Sequence, residues 1–175
     1  TKDDLILDFG CAKGFSVKAL LNLGYRCVGT DISEYAISQA PEEVKDKINL
    51  YNGENSLNNL LLLENQNLFN FILAKDVFEH IEYEDINALL ELLSSKSEYI
   101  FCAIPLAENG KYIVPEYEED ITHIIREDME WWKSTFEKSK LRVVHFSYEF
   151  KGVKENWRHY PKGNGFFILE SKINV

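Results

Sequence analysis

Seven short apolar runs, each four to six residues long, alternate with stretches of helical period along this chain. The runs are Leu5–Phe9, Arg26–Gly29, Ile48–Tyr51, Phe69–Ala74, Tyr99–Ile104, Leu141–Phe146 and Phe166–Leu169; the helical stretches fall near 14–23, 33–40, 56–64, 83–94 and 127–139. Strands separated by helices require crossover connections, which are right-handed and give a parallel sheet covered on both faces. The last two runs have no helix between them. Residues 150–164 join them with two glycines and a proline, so the final strand is expected to run antiparallel. The predicted fold class is therefore α/β: a Rossmann-like, doubly wound, seven-stranded sheet, mostly parallel with an antiparallel C-terminal strand. No internal repeat or linker interrupts the pattern, so residues 1–175 read as one domain. Because a strand begins almost at Thr1, a segment is expected to be missing upstream.

Composition narrows the function. The 45% hydrophobic content belongs to a globular chain, and no apolar run approaches the ~20 residues of a membrane span. A net charge of −10 argues against a duplex-binding surface, which needs clustered Lys and Arg, so nucleic acid is not an expected partner. Cys11, Cys27 and Cys102 fall in buried elements and are odd in number. They read as reduced thiols in a cytoplasmic protein.

In open sheets of this kind, ligands bind beyond the carboxyl ends of the strands. The first strand ends in Asp8-Phe9-Gly10-Cys11-Ala12-Lys13-Gly14. Gly10 and Gly14 permit a sharp turn close to a ligand, and the following helix turns its free amides into the same crevice. Asp31 closes the second strand, twenty-one positions after Gly10, where a carboxylate can accept both hydroxyls of an adenosine ribose. Three glycines around a pyrophosphate would mark a dinucleotide enzyme, and this loop lacks that spacing. A ligand with a ribose but no pyrophosphate fits better, and S-adenosylmethionine is such a ligand.

Leu5–Gly14 resembles the first motif of class I S-adenosylmethionine-dependent methyltransferases, Val28–Ser33 the second, and Ala74–Ile81 the motif after strand four. The stretch from Gly10 to Pro41 is most similar to methyltransferases found with glycan-building enzymes. The resemblance implies that Asp8, Gly10, Cys11, Ala12 and Gly14 lie under the methionine moiety. It further implies that Asp31 holds the ribose with Ile32 beside it, and that Gly53, Glu54 and Lys75 complete the cofactor site. It implies a sugar hydroxyl of a glycan or glycan precursor as acceptor, and fusion to or association with other glycan-building domains. A quinone or phenol acceptor is the alternative, as is a non-catalytic module that binds S-adenosylmethionine.

Asp76-Val77-Phe78-Glu79-His80 follows strand four. Three readings stand open. Asp76 and Glu79 have capping-box spacing, which would make the cluster structural. His80 or Asp76, with His123, is otherwise the base that removes a hydroxyl proton. Thirdly, similar segments in methyltransferases of small-RNA ends and of the ubiquinone pathway support Mg²⁺, which implies Asp76, Glu79, His80 and His123 as its ligands. Beyond these, residues 105–123 and 150–164, the latter with Trp157, Arg158, His159 and Tyr160, are expected loops at the ligand edge. Trp131 and Trp132 are adjacent in a helix, so one is expected in the core and the other partly exposed.

Overall fold

The computed structural model describes residues 1–173. Its strands form the seven-stranded, mostly parallel sheet expected from the alternating runs, in the order β3 (Ile48–Leu50), β2 (Arg26–Asp31), β1 (Leu5–Phe9), β4 (Phe69–Lys75), β5 (Ser97–Pro105), β9 (Asn164–Ser171), β8 (Leu141–Ser147). Two compact units divide the chain: Thr1–Leu73 with Lys96–Glu98, and Ala74–Ser95 with the residues from Tyr99 on.

In the first unit, β1 (Leu5–Phe9), α1 (Phe15–Asn22), β2 (Arg26–Asp31), α2 (Glu34–Ser38), β3 (Ile48–Leu50) and α3 (Glu54–Leu63) follow in order, and β4 (Phe69–Lys75) begins. β1 pairs parallel with β2, from Leu5 opposite Arg26 to Phe9 opposite Thr30, and parallel with β4, Leu7 opposite Ile72. Cys11, Val17, Cys27, Ala40, Val44 and Ile48 form one buried cluster, with Leu20 and Ile37 packed against it. α1 stops because Gly24 turns left-handed at φ 82°: its amide bonds the Leu21 carbonyl and that of Tyr25 the Leu20 carbonyl, satisfying two terminal acceptors. Ser33 starts α2 by accepting from the Ala36 amide at 3.1 Å.

The second unit holds most of α4 (Ile86–Lys96) and β5 (Ser97–Pro105), then a hairpin of β6 (Ala107–Glu108) and β7 (Lys111–Tyr112), α5 (Met129–Lys138), β8 (Leu141–Ser147) and β9 (Asn164–Ser171). β9 lies between β5 and β8 and is antiparallel to both, so the C-terminal strand runs as expected. Asp128 caps α5 by accepting from the Trp131 amide at 2.8 Å. Trp132 is fully buried and Trp131 only partly, as adjacency on a helix demands. The β6–β7 hairpin is a feature not anticipated above. Its two-residue loop, Asn109-Gly110, has φ of 53° and 74°, the left-handed pair that a tight hairpin of matching twist requires. No helix of the described residues is long and apolar enough to cross a membrane.

Candidate active site

The glycine loop of the first unit is held from below. The amides of Gly10 and Cys11 both donate to the Thr30 carbonyl, at 2.8 and 3.0 Å, and Gly14 donates to that of Cys11 at 2.8 Å. Gly10, Ala12 and Gly14 all have positive φ, at 79°, 47° and 74°. Glycine takes that conformation freely, whereas Ala12 is held there by a hydrogen bond from its amide to Asp31 Oδ2 at 2.8 Å. Asp31 Oδ1 accepts from the Ser33 amide at 2.8 Å, so backbone donors fix both carboxylate oxygens in direction and each keeps lone pairs for a further donor. Gly29 on β2 makes room for this loop. A Cβ there would stand 2.8 Å from Cys11 Sγ and 2.9 Å from Val17 Cγ2.

Ile32, Tyr35 and Phe15 leave most of their apolar surface exposed. Asp8 and Cys11 are buried, and burial, aided by the charges of Asp8 and Asp31, pushes the Cys11 thiol up to about 12. Gly53 opens α3 at φ 92° with nothing within 4 Å of where its Cβ would be, while Glu54 pairs with Lys96 at 2.8 Å. Loop, acid and apolar rim thus fit an adenosine-bearing ligand.

In the second unit, Asp76 adopts φ 57°, rare for a residue with a side chain, and its amide donates to the Ala103 carbonyl at 2.9 Å. The tight turn Phe78–His80 begins after Val77, and no side chain caps it, so the capping-box reading of Asp76 and Glu79 is set aside. The Asp76 carboxylate instead takes Lys75 at 2.6 Å on one oxygen and Lys154 on the other. Glu79 is fully buried, and neither carboxylate oxygen has a hydrogen-bond partner among the described residues. Burial, reinforced by the charge of Asp76, pushes its carboxyl up to about 8. Its backbone carbonyl accepts from the amides of Ile124 and Ile125 at 2.7 and 2.9 Å, which brings the following histidine alongside.

His123 is buried, and its ring stands edge-on to His80 with centroids 4.7 Å apart. The hydrogen-bond network assigns both tautomers. His123 Nδ1 lies 2.9 Å from the Tyr117 carbonyl, which can only accept, so Nδ1 carries the proton. His80 Nδ1 lies 3.2 Å from the Thr122 carbonyl and 2.9 Å from its hydroxyl, whose own proton goes to Asp120 at 2.6 Å. Both rings therefore keep an Nε2 lone pair. Burial, helped by His80, lowers the affinity of His123 for a second proton. Ligand atoms of Glu79, His80 and His123 all lie within 4.8 Å of one another; Asp76 is outside this group.

Several participants were invisible in the sequence. Tyr117, Lys154, Asn156 and Asn164 form a connected polar cluster beside Asp76, yet nothing in the local sequence marks them out. Two shallow depressions of the second unit, one lined by Leu106, Glu108 and Tyr148 and the other by Met129, Val143 and Phe146, contain none of the candidate residues.

A Rossmann-like sheet with a glycine loop under a strand-ending acid is the architecture of S-adenosylmethionine-dependent methyltransferases of class I. Residues 7–95 match the family model described as a methyltransferase domain, and the chain belongs to that family. It is similar to a SAM-dependent methyltransferase from Archaeoglobus fulgidus, with 18% identity over 97% of this chain and 86% of that one, at a TM-score of 0.72. Magnesium protoporphyrin IX methyltransferase of Synechocystis, solved with bound SAH, aligns at 13% identity over 97% and 74%, TM-score 0.67. Mitomycin 7-O-methyltransferase aligns at 13% over 97% and 49%, TM-score 0.69. No curated protein matches the sequence. At these identities the structural likeness fixes the fold, and the family match fixes the class.

Proposed function

We propose that this methyltransferase acts on a hydroxyl oxygen, that of a sugar in a glycan or glycan precursor, with a divalent cation at Glu79, His80 and His123. The observation that carries the reading is the buried Glu79 carboxyl, without a hydrogen-bond partner, with ligand atoms of His80 and His123 gathered within 4.8 Å. A buried carboxyl in this state is costly unless a cation or proton satisfies it. Two imidazoles and one carboxylate suit a borderline ion such as Zn²⁺ or Fe²⁺ better than Mg²⁺, which prefers an octahedral shell of oxygens.

S-adenosylmethionine supplies a methyl group already activated by its sulfonium. Held cations lower the pKa of a coordinated hydroxyl. The chain's own work is orientation. Asp31, fixed by two backbone amides, presents its remaining lone pairs to a ribose, while Gly10, Cys11, Ala12 and Gly14 give the backbone close approach. Glu54 at the start of α3 is matched by Lys96. Thr122 and Tyr117 hold His80 and His123 through Nδ1, which leaves each Nε2 to hold the cation. Asp76, matched by two ammonium groups, serves as a charge anchor in preference to a base.

The polar and aromatic character of the surroundings, with Tyr112, Tyr117, Thr122 and Asp120 near the histidines, supports a hydroxyl-rich acceptor over a quinone. The three free, buried cysteines accord with a reducing, cytoplasmic setting.

The test is methyl transfer from isotope-labelled S-adenosylmethionine to saccharides, catechols and quinols, with EDTA and with added Zn²⁺, Mn²⁺ or Mg²⁺. The expected result is a methylated sugar, with turnover lost in EDTA and reduced at least 100-fold by Glu79→Gln and His123→Ala. A phenolic acceptor preferred by more than tenfold would contradict the sugar assignment. Full activity in EDTA would contradict the cation.

A further inference from the structure

Lys154 lies in the segment between β8 and β9, where a lysine normally points into water, yet its side chain is only 12% exposed. An ammonium has three protons. Here each has an acceptor: the Asp76 carboxylate, the Tyr117 hydroxyl at 2.9 Å and Asn164 Oδ1 at 3.1 Å. The Tyr117 ring lies 4.8 Å from the same ammonium, a cation–π contact.

The acceptors are themselves tied together. Tyr117 donates to Asn164 Oδ1 at 2.9 Å and accepts from Asn156 Nδ2 at 2.8 Å, and Asn164 Nδ2 donates to Asn156 Oδ1 at 2.8 Å. Burial disfavours the charged amine, but the Asp76 charge and the hydrogen bonds outweigh it and raise the lysine's proton affinity. Tyr117 has a second connection. Its carbonyl accepts from His123 Nδ1, the bond that leaves the lone pair on Nε2.

We propose that Lys154 is a positioning residue for methyl transfer: it fixes the Asp76 carboxylate on one side and Tyr117 on the other, and through the Tyr117 carbonyl it sets the tautomer of His123. The proposal rests on the reading that His80 and His123 hold the cation. Without the ammonium, Asp76 keeps only the half-exposed Lys75, and Tyr117 and Asn164 lose their shared donor. The turn at Pro115–Glu119 and residues 150–163 are then free to separate.

The experiment compares the native chain with Lys154→Met, Lys154→Arg and Tyr117→Phe and requires no acceptor. Long-range ¹H–¹⁵N spectra of the histidine rings report tautomers. Chymotrypsin cleavage at Phe150, Trp157 and Tyr160 reports the loop, and calorimetry with S-adenosylhomocysteine reports the cofactor site. Lys154→Met is expected to bind S-adenosylhomocysteine within twofold of native, to convert the single Nδ1–H form of His123 into a mixture, and to be cleaved at least tenfold faster. Lys154→Arg is expected to restore both properties.

A native ring spectrum and cleavage rate in Lys154→Met would overturn the proposal, as would failure of Lys154→Arg to restore them. Should Lys154→Met not fold, Tyr117→Phe decides: it removes only the hydroxyl link, and an unchanged His123 signal refutes the coupling, whereas a mixed one supports it. Failure of the acceptor reading appears in the methylation assay and leaves these signals unaffected.

Discussion

Cys11 is buried in the glycine loop under the charges of Asp8 and Asp31, and the consequence for its chemistry has a definite sign. Its thiol value in the folded chain, about 12, lies above the ordinary 9.0, first because of burial and then because of the two acids. The neutral thiol is therefore the form the fold favours. Its contribution to stability is complete below pH 9 and falls as pH rises toward 12. Since the thiolate is the nucleophile, iodoacetamide at pH 8.5 should leave Cys11 unmodified in the folded chain and label all three cysteines after denaturation. Rapid labelling of Cys11 in the folded chain, read by mass spectrometry, would show that the loop is more open than described. The same reasoning explains Glu79. A carboxyl sealed from water beside Asp76 stays neutral until something positive reaches it.

At the level of elements, two glycines separate steric from conformational demand. Gly29 has a backbone that any residue can adopt, but a Cβ there collides with Cys11 and Val17. Gly29→Ala should therefore cost about 1–3 kcal/mol through overpacking and also weaken S-adenosylhomocysteine binding, because the displaced atoms belong to the glycine loop. Gly110 faces open space at φ 74°. Gly110→Ala should cost about 1–2 kcal/mol from backbone strain alone and leave that binding unchanged. Thermal melts and calorimetry check both, and equal effects of the two on binding would contradict the account. β1, the run Leu5–Phe9, was legible to the residue because its apolar stretch is bounded by Asp4 and Gly10. The β6–β7 hairpin was not anticipated, because its strands of two residues show no periodicity to read. The capping-box reading failed for another reason. Its spacing is satisfied by Asp76 and Glu79, yet the left-handed backbone at Asp76 and the burial of Glu79 send both carboxylates elsewhere.

At the scale of the whole molecule, the glycine loop and the Asp31 that accepts from it were readable because their demands are local: two glycines, an acid at a strand end, and fixed spacing between them. The cluster of Glu79, His80 and His123 was only half readable. His80 and His123 lie 43 positions apart in sequence, and their edge-on contact comes from the Glu79 carbonyl bonding the amides after His123. Lys154, in a loop, and Asn164, at the start of β9, carried no signal, since only burial sets them apart.

The central claim is that the glycine loop and Asp31 bind S-adenosylmethionine. It is tested most directly by calorimetric titration with S-adenosylhomocysteine of the native chain and of Asp31→Ala, with NADH as control. The account predicts micromolar binding that Asp31→Ala weakens at least tenfold, about 1.4 kcal/mol, and no comparable binding of NADH. A folded chain that binds no S-adenosylhomocysteine, or binds it equally well without the Asp31 carboxylate, would contradict it.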